Sequence, residues 1–227
     1  MDQKLGILML DTQFPRILGD AGNPDTYAMD VVIQIVENVG SLDVVNDQQM
    51  PPKILQQFVN AAQSLERKGV NAITSTCGFL FKEQDSISAA VDIPVMVSPL
   101  SLYSDIKNKI GHKKTVMLTA SECDLISLLH SSDDFAMDDV EIIGMENCVA
   151  FSQAILRDKQ EQLKELRSEE IEGFIKSKLI KLLSDSNDIG AILIECGNLP
   201  PYIGAIKTVT DLPVYSILDG VEQIMSR

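Results

Sequence analysis

Two cysteines carry the most visible chemistry in this sequence. Cys77 stands in Thr76-Cys77-Gly78-Phe79-Leu80 and Cys196 in Glu195-Cys196-Gly197-Asn198-Leu199. Each follows a short apolar run and precedes a glycine. A thiolate is a base as well as a nucleophile, and nearby dipoles or cations can bring a cysteine pKa of ~8.5 towards neutrality. Two thiols facing each other across a bound carbon acid can take a proton from one face of Cα and return one to the other. The glycines let backbone approach closely. If the two turns lead into helices, their N–H groups favour both a thiolate and a substrate carboxylate. A lone free cysteine is more often a small buried hydrophobe, and that reading is given to Cys123 and Cys148.

Repetition sets Cys77 and Cys196 apart. Val70-Asn71-Ala72-Ile73-Thr74-Ser75-Thr76-Cys77-Gly78 parallels Ile189-Gly190-Ala191-Ile192-Leu193-Ile194-Glu195-Cys196-Gly197. Asp92-Ile93-Pro94-Val95 likewise parallels Asp211-Leu212-Pro213-Val214, at the same offset (77 to 196, 94 to 213). A chance likeness of α/β patterns would not need cysteine at the same point of both. The chain therefore reads as a duplication: two α/β lobes, residues 1–105 and 106–227, related by a pseudo-two-fold axis, with parallel sheets and the site in the cleft between them.

The elements that must position the thiols alternate along the chain, as α/β folds require. Strands are expected at Lys4–Leu10, Ser41–Val45, Ala72–Ser75, Pro94–Ser98, Thr115–Thr119, Glu141–Met145, Gly190–Glu195 and Pro213–Ile217. Several are nearly unbroken apolar runs, the mark of parallel strands covered on both faces. Helices are expected at Asp25–Val39, punctuated by Pro24 and Gly40, at Pro51–Lys68, at Glu122–His130, and as two helices within Ala150–Ser184. A final helix is expected around Asp219–Arg227, and whether it returns to the first lobe is left open. Ligands of open α/β sheets bind beyond the carboxyl ends of the strands, where both cysteines fall.

Other polar residues share that edge. Asp11 and Thr12 follow the first strand; Asp11 either steers protonation or holds a substrate ammonium, or it is a plain turn or capping aspartate. Thr119, at the matching place in the second lobe, donates to a carboxylate or caps the next helix. Arg16 lies in a loop with Pro15, Gly19, Gly22 and Pro24, and its guanidinium either binds a carboxylate in bidentate fashion or stays solvated. Thr76, Gly78, Phe79, Gly197 and Asn198 belong to the cysteine turns. Glu195, one residue before Cys196, is expected to point to the opposite face by strand alternation and is given no role.

The gross numbers exclude other classes. The 227 residues are 45% apolar and 23% charged, an ordinary globular composition. A net charge of −14 argues against a nucleic-acid partner. The apolar runs are too short to span a bilayer. Nothing at the N-terminus resembles a secretory signal, so a cytoplasmic location is expected. Four cysteines without a CxxC pair, and two histidines (His112, His130) outside any ligand motif, support neither a disulfide framework nor a metal site.

The two cysteine motifs, extended at the second by Pro200-Pro201-Tyr202, resemble those of the aspartate/glutamate/hydantoin racemase superfamily. The stretch Leu10-Asp11-Thr12-Gln13-Phe14-Pro15-Arg16-Ile17-Leu18-Gly19-Asp20-Ala21-Gly22-Asn23-Pro24 resembles a less characterised branch of it. The resemblance spans essentially the whole chain. It implies two flavodoxin-like lobes, no pyridoxal phosphate or other cofactor, no metal, and a homodimer. It also implies amino-acid racemisation with Cys77 and Cys196 as opposed bases on a small carboxylate substrate. Well-characterised glutamate racemases resemble Cys-Asn-Thr and Cys-Thr-His where this chain has Cys77-Gly78-Phe79 and Cys196-Gly197-Asn198. The reaction class is therefore better marked than the substrate, and hydantoin racemisation, maleate-type isomerisation and a silent carboxylate sensor are the rivals.

Overall fold

A computed structural model describes residues 3–46 and 48–226. In chain order the elements are β1 (Lys4–Leu10), β2 (Asp30–Val36), α1 (Ser41–Val44), α2 (Pro52–Arg67), β3 (Ala72–Ser75), α3 (Gln84–Ser88), β4 (Val95–Met96) and α4 (Tyr103–Ile110). There follow β5 (Lys114–Thr119), α5 (Glu122–His130), β6 (Val140–Gly144), α6 (Val149–Ile155), α7 (Ser168–Asp185), β7 (Ile189–Ile194), α8 (Ile203–Lys207), β8 (Val214–Tyr215) and α9 (Ile217–Met225). Short 3-10 turns join several of them.

The strands form two parallel four-stranded sheets of identical order, β2-β1-β3-β4 and β6-β5-β7-β8. The duplication expected from the repeated motifs is thus present in the topology. β7, and β1 beyond Lys4, are apolar because they lie inside their sheets with helices or the other lobe over both faces; β7 is buried at every residue. On α2 the buried residues Phe58, Ala61, Ala62 and Leu65 recur at helical spacing and seat the helix on β1 and β2. Ile171, Ile175 and Leu179 seat α7 in the same way on the second lobe. The last helix, α9, lies against β3 and β4 of the first sheet.

Two expectations fail here. Asp25–Val39 is not a helix: after a 3-10 turn at Pro24–Thr26 the chain extends into the edge strand β2. Val31, Val32, Ile33, Ile35 and Val36 are β-branched, and side-chain crowding on a helix disfavours such a run while a pleated surface accepts it. Ser41–Val45 is not a strand but the single-turn helix α1, whose entry is tied by the Asp43 carboxylate accepting the Gly40 N–H (2.7 Å). The other expected strands and helices fall within a few residues of expectation, and the short helices α3, α4 and α8 have no counterpart among the expected elements. Arg227 lies outside the described residues.

The hydrophobic core crosses the lobe boundary. One continuous cluster joins Leu8, Ile73 and Leu100 to Met117, Leu125, Leu129 and Leu193 of the second lobe. In the opposite sense, the loop after β1 sends Phe14 into the core of the second lobe beside Ile194, Leu199 and Tyr202. No described helix is long and apolar enough to cross a membrane.

Candidate functional site

In each sheet the chain leaves β1 (or β5) for one neighbour and then crosses to the other side, so the carboxyl ends of β1, β3, β5 and β7 form topological switch points where a crevice opens. The four ends meet. Thr76 N–H donates to the Leu8 carbonyl (3.2 Å) and Glu195 N–H to the Leu118 carbonyl (2.8 Å), so each cysteine motif is held against its central strand in the same manner. Ser75 Oγ accepts the Cys77 N–H (3.1 Å) and donates to the Val97 carbonyl (2.6 Å), which fixes the turn carrying the first thiol.

The glycine after each cysteine is required by the residue before the other one. A methyl group on Gly78 would overlap the side chain and carbonyl of Glu195, and one on Gly197 would lie 2.5 Å from the Thr76 carbonyl oxygen. The two motifs therefore clasp each other reciprocally about the pseudo-two-fold axis. This brings Cys77 and Cys196 onto one cleft.

Leu10, Phe14, Val45, Phe79, Ala120 and Ile155 make the apolar walls of this cleft, and its polar groups are Thr12, Arg16, Ser41, Thr76, Glu195 and Asn198. Thr76 Oγ1 is buried without a hydrogen-bond partner in the protein, a free donor within the cleft. Phe79 is both buried core and cleft wall. Asp11, Thr119 and Gly197, expected to bind substrate, do not line the cleft. Asp11 points to an outer pocket, where it pairs with Lys159 (2.5 Å) and accepts the Asn38 N–H (3.1 Å). Thr119 Oγ1 donates to Glu195 Oε2 (2.8 Å). Gly197 is occupied by its contact with Thr76 and by the Ala21 N–H, which its carbonyl accepts (2.9 Å).

Arg16 is positioned by the loop that crosses to the second lobe. Its guanidinium donates to Asp20 (2.8 Å) and to Thr12 Oγ1 (3.1 Å) and lies over the Phe14 ring at 4.8 Å. Asp20, given no role on sequence grounds, is buried and central: its other oxygen accepts from Asn198 Nδ2 (2.9 Å), and Asn198 Oδ1 faces the Cys196 thiol (3.6 Å). A hydrogen-bonded line thus runs from Arg16 through Asp20 and Asn198 to Cys196. A spacing of four between an arginine and an aspartate was the only local signal for it. The remaining guanidinium N–H groups are free to take a carboxylate.

Electrostatically the cleft is set against ionised thiols. Burial, then the charge of Glu195, push Cys77 up to about 12, against the lowering pull of the Phe79 N–H and of Arg16. Burial and Glu195 raise Cys196 as well, while the Asn198 N–H opposes them. Glu195 itself is pushed up to about 8 by burial, partly offset by Thr119. The expectation that Glu195 faces away fails because β7 ends at Ile194, and past a strand end alternation no longer governs direction. The cysteine turns do not start α-helices: Gly78–Glu83 is a 3-10 segment, and Gly197–Leu199 is an open turn before another. The donors at the sulfurs are turn amides, those of Phe79 and Leu80 at Cys77 and that of Asn198 at Cys196. Cys148 is buried as expected, but Cys123 is exposed; as the second residue of α5 it needs no core partner.

No protein-family model matches the chain. Among curated proteins it is similar to dimethylsulfoniopropionate lyase 7 of Emiliania huxleyi, 28% identical over 98% of this chain and 66% of that protein. It is similar also to a dimethylsulfoniopropionate lyase of Durusdinium sp. clade D, 27% identical over 94% of this chain and 71% of that protein. The chain thus spans 66% and 71% of the length of these two relatives. Among solved structures it resembles a glycine-to-cysteine variant of arylmalonate decarboxylase in a sulfate-associated form, with TM-score 0.64 and 13% identity, covering 98% of this chain and 93% of that one. An aspartate racemase homologue from Pyrococcus horikoshii OT3 gives 0.57 and 14%, covering 99% and 100%. The chain shares the two-lobed α/β fold of these structures.

Proposed function

We propose that this chain, with its racemase-superfamily fold, is a carbon-acid enzyme that removes a proton α to the carboxylate of a small substrate, and that the reaction is β-elimination from a β-sulfonio carboxylate such as dimethylsulfoniopropionate. The observation that carries the proton abstraction is the pair Cys77 and Cys196, delivered to one cleft by matched strand ends. The curated relatives named as lyases support the elimination.

The substrate carboxylate is held by the free N–H groups of Arg16 and by the Thr76 hydroxyl, with Asn198 beside Cys196. This places Cα between the thiols. The sulfonium, with two methyl groups and no hydrogen to donate, turns towards the apolar walls, where Phe79 and Phe14 offer aromatic rings to a soft cation. Its positive charge beside a sulfur favours the thiolate that burial otherwise disfavours. The thiolate takes the Cα proton, the C–H electron pair becomes the C=C bond, and the Cβ–S bond breaks with its electrons leaving on neutral dimethyl sulfide. The second product is acrylate.

Amino-acid racemisation is the second reading, supported by the same opposed thiols. An α-ammonium needs acceptors for three N–H bonds. Asp11 is turned out to Lys159 and Asp20 is taken by Arg16 and Asn198, leaving one carboxyl, Glu195, in the cleft lining. That set suits a sulfonium better than an ammonium.

The deciding experiment incubates the purified protein with dimethylsulfoniopropionate and measures dimethyl sulfide and acrylate. A parallel series in heavy water follows both enantiomers of aspartate, glutamate and neutral amino acids by proton NMR. Elimination in the first, lowered about 100-fold or more in Cys77→Ser and Cys196→Ser, is the expected result. Inversion with deuterium uptake in the second, and no dimethyl sulfide, would move the assignment to racemase.

A further inference from the structure

The elimination leaves a problem that racemisation does not have. A racemase returns as many protons to its product as it takes, whereas elimination from a zwitterionic sulfonium carboxylate gives an anion, a neutral sulfide and one proton left on the enzyme. Neither thiol is a good place to keep it, because each must be deprotonated again for the next turnover.

The cleft contains another ionisable group beside both. Glu195 adjoins Cys196 in the chain, and its carboxyl lies against the backbone of Gly78, next to Cys77. It is fully buried; Oε2 accepts from Thr119, and Oε1 has no hydrogen-bond partner among the described residues. A buried carboxyl oxygen left unsatisfied beside two thiols is costly unless a proton resides there for part of a cycle. The charged and titratable groups around it are Cys77 and Cys196, Arg16 across the cleft, and Asp20 behind Asn198. Two like charges within so enclosed a space are strongly disfavoured, so Glu195 and the thiols together hold at most one negative charge.

We propose that Glu195 is the proton store of the cleft: in the active enzyme form its ionised carboxylate takes the S–H proton of one cysteine as substrate binds, and it then carries away the proton that elimination adds. The inference rests on the elimination reading above. In the first step an S–H bond breaks and an O–H bond forms at Oε1, so the negative charge moves from carboxylate to sulfur. In the second, the thiolate takes the Cα proton, the alkene forms and the sulfide departs. Both thiols are then protonated, and Glu195 holds one proton more than it began with. That proton passes to water when product leaves. The group acts through the cysteines and does not touch substrate.

Glu195→Gln keeps the shape and the hydrogen bond with Thr119 but cannot accept a proton. Thr119→Val keeps the carboxyl but removes the bond that holds its pKa down. We expect kcat/KM of the unaltered enzyme to rise with pH through a limb near about 8. The limb should vanish in Glu195→Gln, with activity at that pH lower by about 100-fold, and should move upward in Thr119→Val. Independently of turnover, thiolate absorbance is titrated without substrate in a Cys123→Ser, Cys148→Ser background. There Glu195→Gln should shift the remaining thiols to lower pH, since an adjacent negative charge is gone. A Glu195→Gln protein with the unaltered pH limb and an unshifted thiol titration would overturn the proposal. An unaltered enzyme that eliminates nothing, with thiols that still shift in Glu195→Gln, would overturn the reaction assigned above and not the shared charge.

Discussion

At the scale of single residues, the thiols were readable in the sequence because two cysteines recur at one offset, each before glycine. Their surroundings were not. Glu195 sits one residue beyond its strand, where alternation stops predicting direction, and Asp20 gains its role only when Asn198 arrives from the other lobe. Asp11 looked as well placed as Arg16, but its partner Lys159 lies far along the chain and draws it outward. The clasp of the two motifs gives a test here. Gly197→Ala would push a methyl onto the Thr76 carbonyl, a backbone atom that cannot swing aside. We expect a loss of about 1–3 kcal/mol in chemical denaturation, together with lowered activity as the two thiols move apart. Gly204→Ala, where an added methyl meets nothing, is the control and should leave both unchanged.

Elements were mostly predictable where one physical signal dominated. The buried parallel strands announced themselves as apolar runs and α2 by its stripe of buried positions. The failure at β2 came from weighing punctuation, Pro24 and Gly40, above the β-branched run between them. A short segment such as α1, fixed by one side-chain-to-backbone bond, carries too little pattern to be told from a strand. The loop joining β1 to β2 was recognised as functional from its arginine, yet what anchors it is Phe14, buried in the second lobe. Phe14→Ala should cost about 3–5 kcal/mol of stability. Because Arg16 rests over that ring, it should also raise KM for a carboxylate substrate more than it lowers kcat. An unchanged KM would mean that Asp20 and Thr12 hold Arg16 without the ring.

For the whole molecule, the two-lobed α/β plan followed from the duplication, but the shared core did not, since periodicity reports which residues are buried and never against what. Buried charge then ties stability to pH. The Glu195 carboxyl titrates near 4.5 when unperturbed and near about 8 in the folded protein. Between those values the folded state holds a proton the unfolded chain lacks, so stability falls as pH rises through that window and stays lower above it. Denaturant midpoints should show this decline in the unaltered protein and lose most of it in Glu195→Gln. The Asp11–Lys159 pair acts in the opposite sense: the Asp11 pKa is lowered in the fold, chiefly by Lys159. Its contribution is present above the unfolded carboxylate pKa and disappears as pH falls through the lower folded value. Lys159→Met should flatten that acid limb.

The reciprocal clasp is symmetric in backbone and not in side chains: at equivalent positions one motif offers Thr76 and the other Glu195. The two ends of the cleft are therefore not equivalent: a neutral hydroxyl precedes one thiol and an ionisable carboxyl the other. The α-carbon of a β-sulfoniopropionate is prochiral, its two hydrogens distinguishable only by an unsymmetrical host. If the chain catalyses the elimination proposed above, substrate deuterated stereospecifically at that carbon should yield acrylate that keeps the whole label from one enantiomer and none from the other; equal partition between the two would show that the molecule's inner likeness extends to the reaction itself.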